Sequence, residues 1–285
     1  MPEGHTIRRL ADALGESFAG RRVRASSPQG RFADGAQVID AAVMVAADAA
    51  GKHLFCDFDN GAVLHVHLGL IGRLDLHQAV AQLPAPLGQV RLRLWADEGQ
   101  GGVTYADLRG ATVCEVIGED RRTAIIATLG PDPLRPDADP TRAWQRVRAS
   151  TRAIGDLLLD QRVVAGVGNI YRTEVLFRAG VHPLRPGCRV RRAVFVAMWH
   201  DLVALMADGV RTGRIDTVRP EHEPAAMGRR PRVDAHGGEV YVYRREGLPC
   251  LVCQTPVRRA AHAGRSIHWC PRCQRHRVAS PGDSR

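Results

Sequence analysis

The chain has 285 residues, 45% hydrophobic and 25% charged, a composition that excludes an intrinsically disordered chain and supports two domains, or one domain with a small appendage. A formal net charge of +10 and a pI near 10.0 point to a polyanionic partner, with nucleic acid a better fit than a membrane surface. No apolar run reaches the roughly 18 residues of a membrane span, and Met1-Pro2-Glu3-Gly4-His5 does not read as a signal peptide, so a cytoplasmic, nucleoid-associated protein with no membrane partner is expected.

In chain order, Glu3 to Leu14 carries Ile7, Leu10, Ala11 and Leu14 at helical spacing with Arg8, Arg9 and Asp12 opposite, which predicts a short amphipathic helix. From Val23 to about Val116 the pattern is one of short β-type runs, such as His53 to Phe58, Ala62 to Leu68 and Val90 to Trp95, broken by Asp59-Asn60-Gly61 and Pro/Gly segments. An antiparallel sandwich or barrel follows. The proline-rich stretch Leu129 to Pro136 stops any regular element and sets a domain boundary near residue 135. Helical segments then run through Ala143, Leu157 to Leu159, Tyr171 to Arg178 and Arg192 to Asp208, and the Gly, Pro and Arg rich stretch Gly209 to Gly238 reads as a mobile linker or loop. The expected domains are 1–134, 135–238 and 239–277, with a disordered tail over 278–285.

Four of the seven cysteines form Cys250-x2-Cys253, sixteen residues, then Cys270-x2-Cys273. That spacing lets two tight knuckles, joined by a short hairpin, hold one tetrahedral Zn2+ through four thiolates, in preference to redox or disulfide pairs. Such a site is structural, because no coordination position is left for water. Cys56, Cys114 and Cys188 lie among apolar neighbours and read as core.

Lys52 is the only lysine among 40 Lys and Arg residues. A guanidinium supplies charge and phosphate contacts but cannot act as a compact, titrating amine, so the exception asks for a reason beyond surface charge.

Pro2-Glu3-Gly4, the Leu129 to Leu134 linker, the run Leu157 to Tyr171 ending Gly166-Val167-Gly168-Asn169-Ile170-Tyr171, and the four-cysteine hairpin together resemble the formamidopyrimidine-DNA glycosylase/endonuclease VIII family over nearly the whole chain. The resemblance implies an α+β protein: an N-terminal antiparallel β-sandwich, a helix-two-turns-helix domain and a C-terminal zinc finger, which as a monomer grips damaged DNA in the cleft between them. It also implies a bifunctional glycosylase and abasic-site lyase of base excision repair.

The opening residues suit that chemistry. With Met1 removed, Pro2 presents a secondary amine that is weakly basic compared with lysine, and attack on a sugar C1′ gives an iminium ion, an electron sink that acidifies the neighbouring C–H bond. Taken alone, Pro2 reads simply as a common residue after an initiator methionine. Glu3 is placed to shuttle protons, or to meet the dipole of the helix that follows, and the two roles are compatible. By resemblance Lys52 contacts the lesion-flanking phosphate and keeps the amine deprotonated. Asn169 reads as a helix N-cap whose loop also offers donors to a DNA phosphate. By resemblance Arg265 on the finger hairpin clamps phosphates at the lesion.

His67 to Gly72 resembles the family's intercalation loop, which implies that Leu70 is an apolar wedge filling the hole left by an extruded base, a core leucine being the competing reading. His65 and His67 share a strand face, and no carboxylate or third ligand is spaced in sequence to make a metal site with them. Two departures bear on substrate choice. The loop of the formamidopyrimidine branch that reads the opposite base is reduced here to Asp107-Leu108-Arg109-Gly110, with Arg109 its remaining DNA-binding candidate, and Gly155 replaces a basic residue. Pro2-Glu3-Gly4 is closer to the endonuclease VIII branch, although Thr6 replaces its second acidic residue. An enzyme acting on oxidised pyrimidines and abasic sites is therefore expected, in duplex or in single-stranded or bubble DNA. The alternatives are an 8-oxoguanine/formamidopyrimidine enzyme of the same family and a non-catalytic damaged-DNA-binding protein.

Overall fold

The computed structural model describes residues 2–98, 101–234 and 238–275; the tail expected over 278–285 lies outside the described residues. The chain divides into two compact units, Met1–Leu129 and Gly130–Arg285. The division falls inside the Leu129–Pro136 stretch. Gly130 belongs to the second unit by its contacts: its N–H bonds Gln161 O at 2.9 Å, and a Cβ there would stand 2.4 Å from Val163 O.

The first unit opens with α1 (Gly4–Phe18), longer at its C-terminal end than the apolar spacing required. Its strands are β1 (Arg24–Ser26), β2 (Met44–Ala50), β3 (His53–Phe58), β4 (Val63–His67), β5 (Arg73–Val80), β6 (Val90–Asp97), β7 (Val103–Arg109) and β8 (Val113–Ile117), with α2 (Ala33–Ile39) before β2 and α3 (Glu119–Ala127) after β8. They form two four-stranded antiparallel sheets, ordered β1-β6-β7-β5 and β2-β3-β4-β8. Period-two alternation turns Leu54, Cys56, Leu64 and Val66 inward, where they meet Leu92, Leu94, Ala106 and Leu108 of the other sheet and Ile7, Leu14 and Phe18 of α1. The same alternation leaves Phe55 and Asp57 on the outer face under α3. There the Arg122 guanidinium lies 5.4 Å from the Phe55 ring and donates to Asp57 at 2.9 Å.

The second unit carries α4 (Pro140–Arg148), α5 (Ile154–Leu159), α6 (Asn169–Arg178), α7 (Arg192–Thr212), the short α8 (Pro224–Met227) and the hairpin of β9 (Arg258–His262) and β10 (Arg265–Trp269). Asp139 caps α4 by accepting the Thr141 N–H at 2.8 Å, with Pro140 at the first helical position. α6 is buried along almost its entire length and packs with α5 and α7 through Leu158, Tyr171, Phe195, Met198 and Leu202. By length and composition α7 could cross a bilayer; here its apolar face forms the core of this unit.

Two sequence expectations need correction. Cys188 is exposed rather than core. The stretch Gly209 to Gly238 is not a free linker in its described part: α7 runs on to Thr212, Ile215 and Thr217 are buried, and the Arg219 N–H bonds the Tyr241 hydroxyl at 2.9 Å. Composition suggested a loop because the anchoring partners lie far along the chain.

Candidate functional site

Pro2 is half-buried just ahead of α1. Glu3 is the N-cap residue, and its carbonyl accepts the Thr6 and Ile7 N–H groups. Its side chain makes no cap bond and is fully buried, so the carboxyl is held inside the unit. At the far end of α1, Gly20 N–H bonds Met44 O at the start of β2, while Arg8 near the front bonds Asp48 late in β2 at 2.6 Å. α1 and β2 are therefore antiparallel, and Pro2-Glu3 lies at the same end of the unit as the turn that follows β2. That turn is Gly51-Lys52, between the paired residues Ala50 and His53. Gly51 has φ of +60°, the left-handed backbone a two-residue hairpin needs. The fold thus brings Pro2, Glu3 and Lys52 to one end.

Beside Lys52 lies a group of histidines that the sequence only half revealed. His53 faces His67 across β3 and β4, and Phe55 faces His65. His53 Nδ1 lies 2.9 Å from His65 Nε2, and His65 Nδ1 lies 2.9 Å from a Glu115 carboxylate oxygen on β8. Because the carboxylate only accepts, His65 donates to it from Nδ1. Burial, with His67 and His65 adding positive field, pushes the His53 imidazole down to about 4. Burial first and then Lys52 also lower His67, evidence that the ammonium stands near it. Sequence spacing offered no carboxylate for these histidines; strand register supplies Glu115.

Leu70 is 60% exposed and Ile71 86%, so Leu70 is not a core residue; Leu68 fills that place. The tip is held by the Gly72 N–H on Leu68 O at 3.1 Å, a turn so tight that a Cβ on Gly72 would come within 2.2 Å of that oxygen. Arg109 is engaged within its own unit. Its guanidinium donates to Asp75 and Asp107, each at 2.8 Å, and to Leu87 O at 3.2 Å. Asp107 in turn pairs with buried Arg93. Arg109 therefore takes part in a charge network inside the first unit.

In the second unit the segment after α5 turns at Gly166, with φ of +81°, into α6. Gly168 is the N-cap and Asn169 the first helical residue, without a side-chain cap bond, so the expected capping role falls to its neighbour. The Asn169 amide instead faces a residue that sequence reading passed over, fully buried Arg172. Arg172 donates to Asn169 Oδ1, to Ser266 O at 3.2 Å and to Gly155 O at 3.4 Å. Ser266 follows Arg265, which sits exposed at the first position of β10, after the Ala263-Gly264 turn with both φ positive. Asn169 and Arg265 are thus brought together in this unit, in a different unit from Pro2, Glu3 and Lys52. His262 Nε2, 2.9 Å from Asp156, ties the other strand of the hairpin to α5. Gly155 is buried, and a Cβ there would already be 3.0 Å from Pro183 O, which explains why no basic side chain stands at this position.

Glu174 was also missed. Fully buried, it accepts the Tyr241, Val242 and Tyr243 N–H groups at 2.7, 3.0 and 2.8 Å and the Thr217 hydroxyl at 2.7 Å, fixing the chain where it enters the cysteine segment. There the four Sγ atoms of Cys250, Cys253, Cys270 and Cys273 all lie within 4.8 Å of one another. Tetrahedral zinc with bonds of about 2.3 Å separates its sulfurs by roughly 3.8 Å, so the donor set fits. The Gln254 N–H on Cys250 O and the Gln274 N–H on Cys270 O, both 2.9 Å, close the two knuckles alike.

Comparison with known proteins agrees with this architecture. Residues 1–114 match the formamidopyrimidine-DNA glycosylase N-terminal domain, residues 129–220 its H2TH domain and residues 247–275 a zinc finger found in FPG and IleRS. The chain is 49% identical over 279 residues to Endonuclease 8 1 of Mycobacterium tuberculosis and of Mycobacterium bovis, covering 96% of this chain and 100% of theirs. It is 31% identical to the formamidopyrimidine-DNA glycosylase of Parasynechococcus marenigrum, covering 96% of this chain and 99% of that one. In fold it is similar to the Lactococcus lactis Fpg solved in complex with DNA containing an abasic site, with a TM-score of 0.77 at 24% identity over 96% of this chain and 100% of that one. The chain therefore belongs to the formamidopyrimidine-DNA glycosylase/endonuclease VIII family of DNA repair glycosylases.

Proposed function

We propose that the chain is a bifunctional DNA glycosylase and abasic-site lyase that excises oxidised bases, pyrimidines favoured, through a Schiff base on Pro2 and cuts the strand by β,δ-elimination. The observation that carries this reading is the buried carboxyl of Glu3 beside Pro2, at the same end of the unit as the only lysine. The 49% identical relatives named Endonuclease 8 1 support the pyrimidine preference, as does the internal engagement of Arg109.

With Met1 removed, the Pro2 nitrogen lone pair attacks C1′, the glycosidic C1′–N bond breaks, and the base leaves with the proton that the Pro2 nitrogen gives up. Glu3 as the acid gives a proton to O4′ when C1′–O4′ opens, forming the iminium. Loss of a C2′ proton sends its electron pair toward the iminium and breaks the C3′–O bond, releasing the 3′ phosphate. A second proton loss, from C4′, breaks C5′–O, and water then hydrolyses the imine to free Pro2. Lys52 stabilises the flanking phosphate and disfavours protonation of the neighbouring amine. Leu70 and Ile71 present apolar surface to fill the emptied stack, while Asn169 and Arg265 hold backbone phosphates. One structural zinc held by the four cysteines fixes the fold of the hairpin segment.

Borohydride trapping on an abasic-site oligonucleotide tests the mechanism. The adduct is expected to vanish in Pro2→Gly and persist in Lys52→Ala. Loss only in Lys52→Ala would make the lysine the nucleophile, and tight binding with no adduct in the wild type would leave a binding protein. Comparing excision of thymine glycol with that of 8-oxoguanine opposite each base tests the lesion preference.

A further inference from the structure

Five arginines line one concavity of the second unit. Arg185, Arg189, Arg191, Arg272 and Arg275 surround a cavity of about 610 Å³, otherwise walled by small and branched apolar residues and Cys273. No carboxylate lines it, and none of the five forms an ion pair among the described residues. Other arginines of the unit are matched: Arg152 and Arg162 share Asp160, Arg178 holds Asp201 and Arg232 holds Asp234.

Like charges gathered in one hollow repel, so something must hold their backbones together. Gln274 does this on one side. Fully buried, it accepts the Cys270 N–H at 3.0 Å and donates to Val181 O at 2.9 Å, joining the knuckle that bears Arg272 to the segment that leads to Arg185. That segment is pinned in turn by Gly187 N–H on Arg152 O at 2.9 Å and Cys188 N–H on Ser150 O at 2.8 Å. α7 starts beside it, with Arg191 as its N-cap and no acidic residue in its first turn, so its positive end adds to the field. A four-thiolate zinc centre carries a formal charge of roughly −2, which accounts for some of these guanidiniums and not all five.

We propose that this pocket is a second phosphate-binding site that takes the sugar-phosphate backbone of the DNA on which the enzyme works. It lies at the C-terminal end of α6, while Asn169 opens the N-terminal end; ten helical residues separate the two by about 15 Å. Charges on duplex DNA recur about every 1.7 Å of its axis, so one DNA molecule is long enough to serve both. Guanidinium forks bind phosphate oxygens in pairs, and a site fixed before binding loses little freedom on contact. The inference shares with the proposed function only that DNA is the partner.

The test uses the full zinc-loaded chain and the Arg189→Ala/Arg191→Ala double variant, both positions being solvent-exposed, with zinc content confirmed. Affinity for an undamaged duplex is followed by fluorescence anisotropy across a series of NaCl concentrations. Loss of two phosphate contacts reduces the slope of log K against log salt by about 1.8, while the borohydride-trap yield at low salt stays at the wild-type level. An unchanged slope overturns the proposal. So does a slope unchanged while pyrophosphate raises the melting temperature of wild type and not of the variant, since the pocket then takes free phosphate. A wild type that traps no adduct, with the slope still reduced in the variant, sinks the lyase reading and leaves the pocket standing.

Discussion

Arg172 donates to the backbone carbonyl of Ser266 at 3.2 Å while the same nitrogen holds the side-chain oxygen of Asn169. One buried guanidinium thereby sets the helix entry and the finger hairpin against each other. Replacing Arg172 by methionine keeps much of the volume and removes the donors, which leaves Asn169 and two carbonyls without them. Loss of a few kcal/mol of stability is expected, at roughly 1.5–3 kcal/mol for each hydrogen bond to a charged group. DNA affinity should fall at least tenfold, read by anisotropy at a temperature where the variant is folded. Wild-type affinity in a destabilised variant would show that DNA binding does not depend on Arg172 holding Asn169 and the Arg265 hairpin together.

Glu174 gathers three consecutive backbone N–H groups and a hydroxyl in the interior. Glu174→Ala strands those donors at a penalty of about 3–5 kcal/mol. It should unfasten residues 240–243 and weaken zinc retention in competition with a chromophoric chelator. Retention equal to wild type would show that the cysteine segment folds without this anchor.

Local patterning made much of this molecule legible. The apolar spacing of Ile7, Ala11 and Leu14, the alternation in β3 and β4, and the cysteine knuckles each state their structure within a few residues. Pairing across long sequence separations was not legible. Arg172 looks like one arginine among many until Ser266 closes on it, and nothing local marks Glu174 until residues 241–243 present their N–H groups. Glu115 joins His65 only through strand register, and Arg109 meets Asp75 in the same way, across to a neighbouring strand.

Arg109→Ala tests whether Arg109 serves this network or the DNA. Removing a partner of Asp75 and Asp107 should lower the melting temperature by several degrees, as expected for a network in which Asp107 is buried. The salt slope of DNA binding should stay as in wild type. A reduced slope at unchanged stability would return Arg109 to the DNA interface.

Acid should loosen the first unit before its carboxylates titrate. Burial, followed by the field of Arg9, holds His5 at about 4, and burial with His67 and His65 holds His53 at about 4, against an ordinary 6.5. Between those limits the unfolded chain binds more protons than the folded one, so stability rises with pH across the window and is lost on acidification from 6.5 toward 4. For nearly inaccessible His5 alone the effect is on the order of 3 kcal/mol. Urea midpoints measured across this range should fall with pH, and His5→Phe should flatten the fall. A slope identical in that variant would assign the acid sensitivity elsewhere.

Zinc removal separates the two units in another way. The four sulfurs converge, and in the apo protein their thiolates repel or take up protons, so the knuckles and the hairpin bearing Arg265 lose their fixed geometry. Gln274, which depends on the Cys270–Cys273 knuckle for its place against Val181, is released with them. The sandwich core of the first unit contains none of these groups and should keep its unfolding transition. Chelation is therefore expected to abolish DNA binding and incision while a first-unit probe, fluorescence of Trp95, still reports a cooperative transition. Full incision by a chelated sample verified to be zinc-free would show that the finger is dispensable for chemistry.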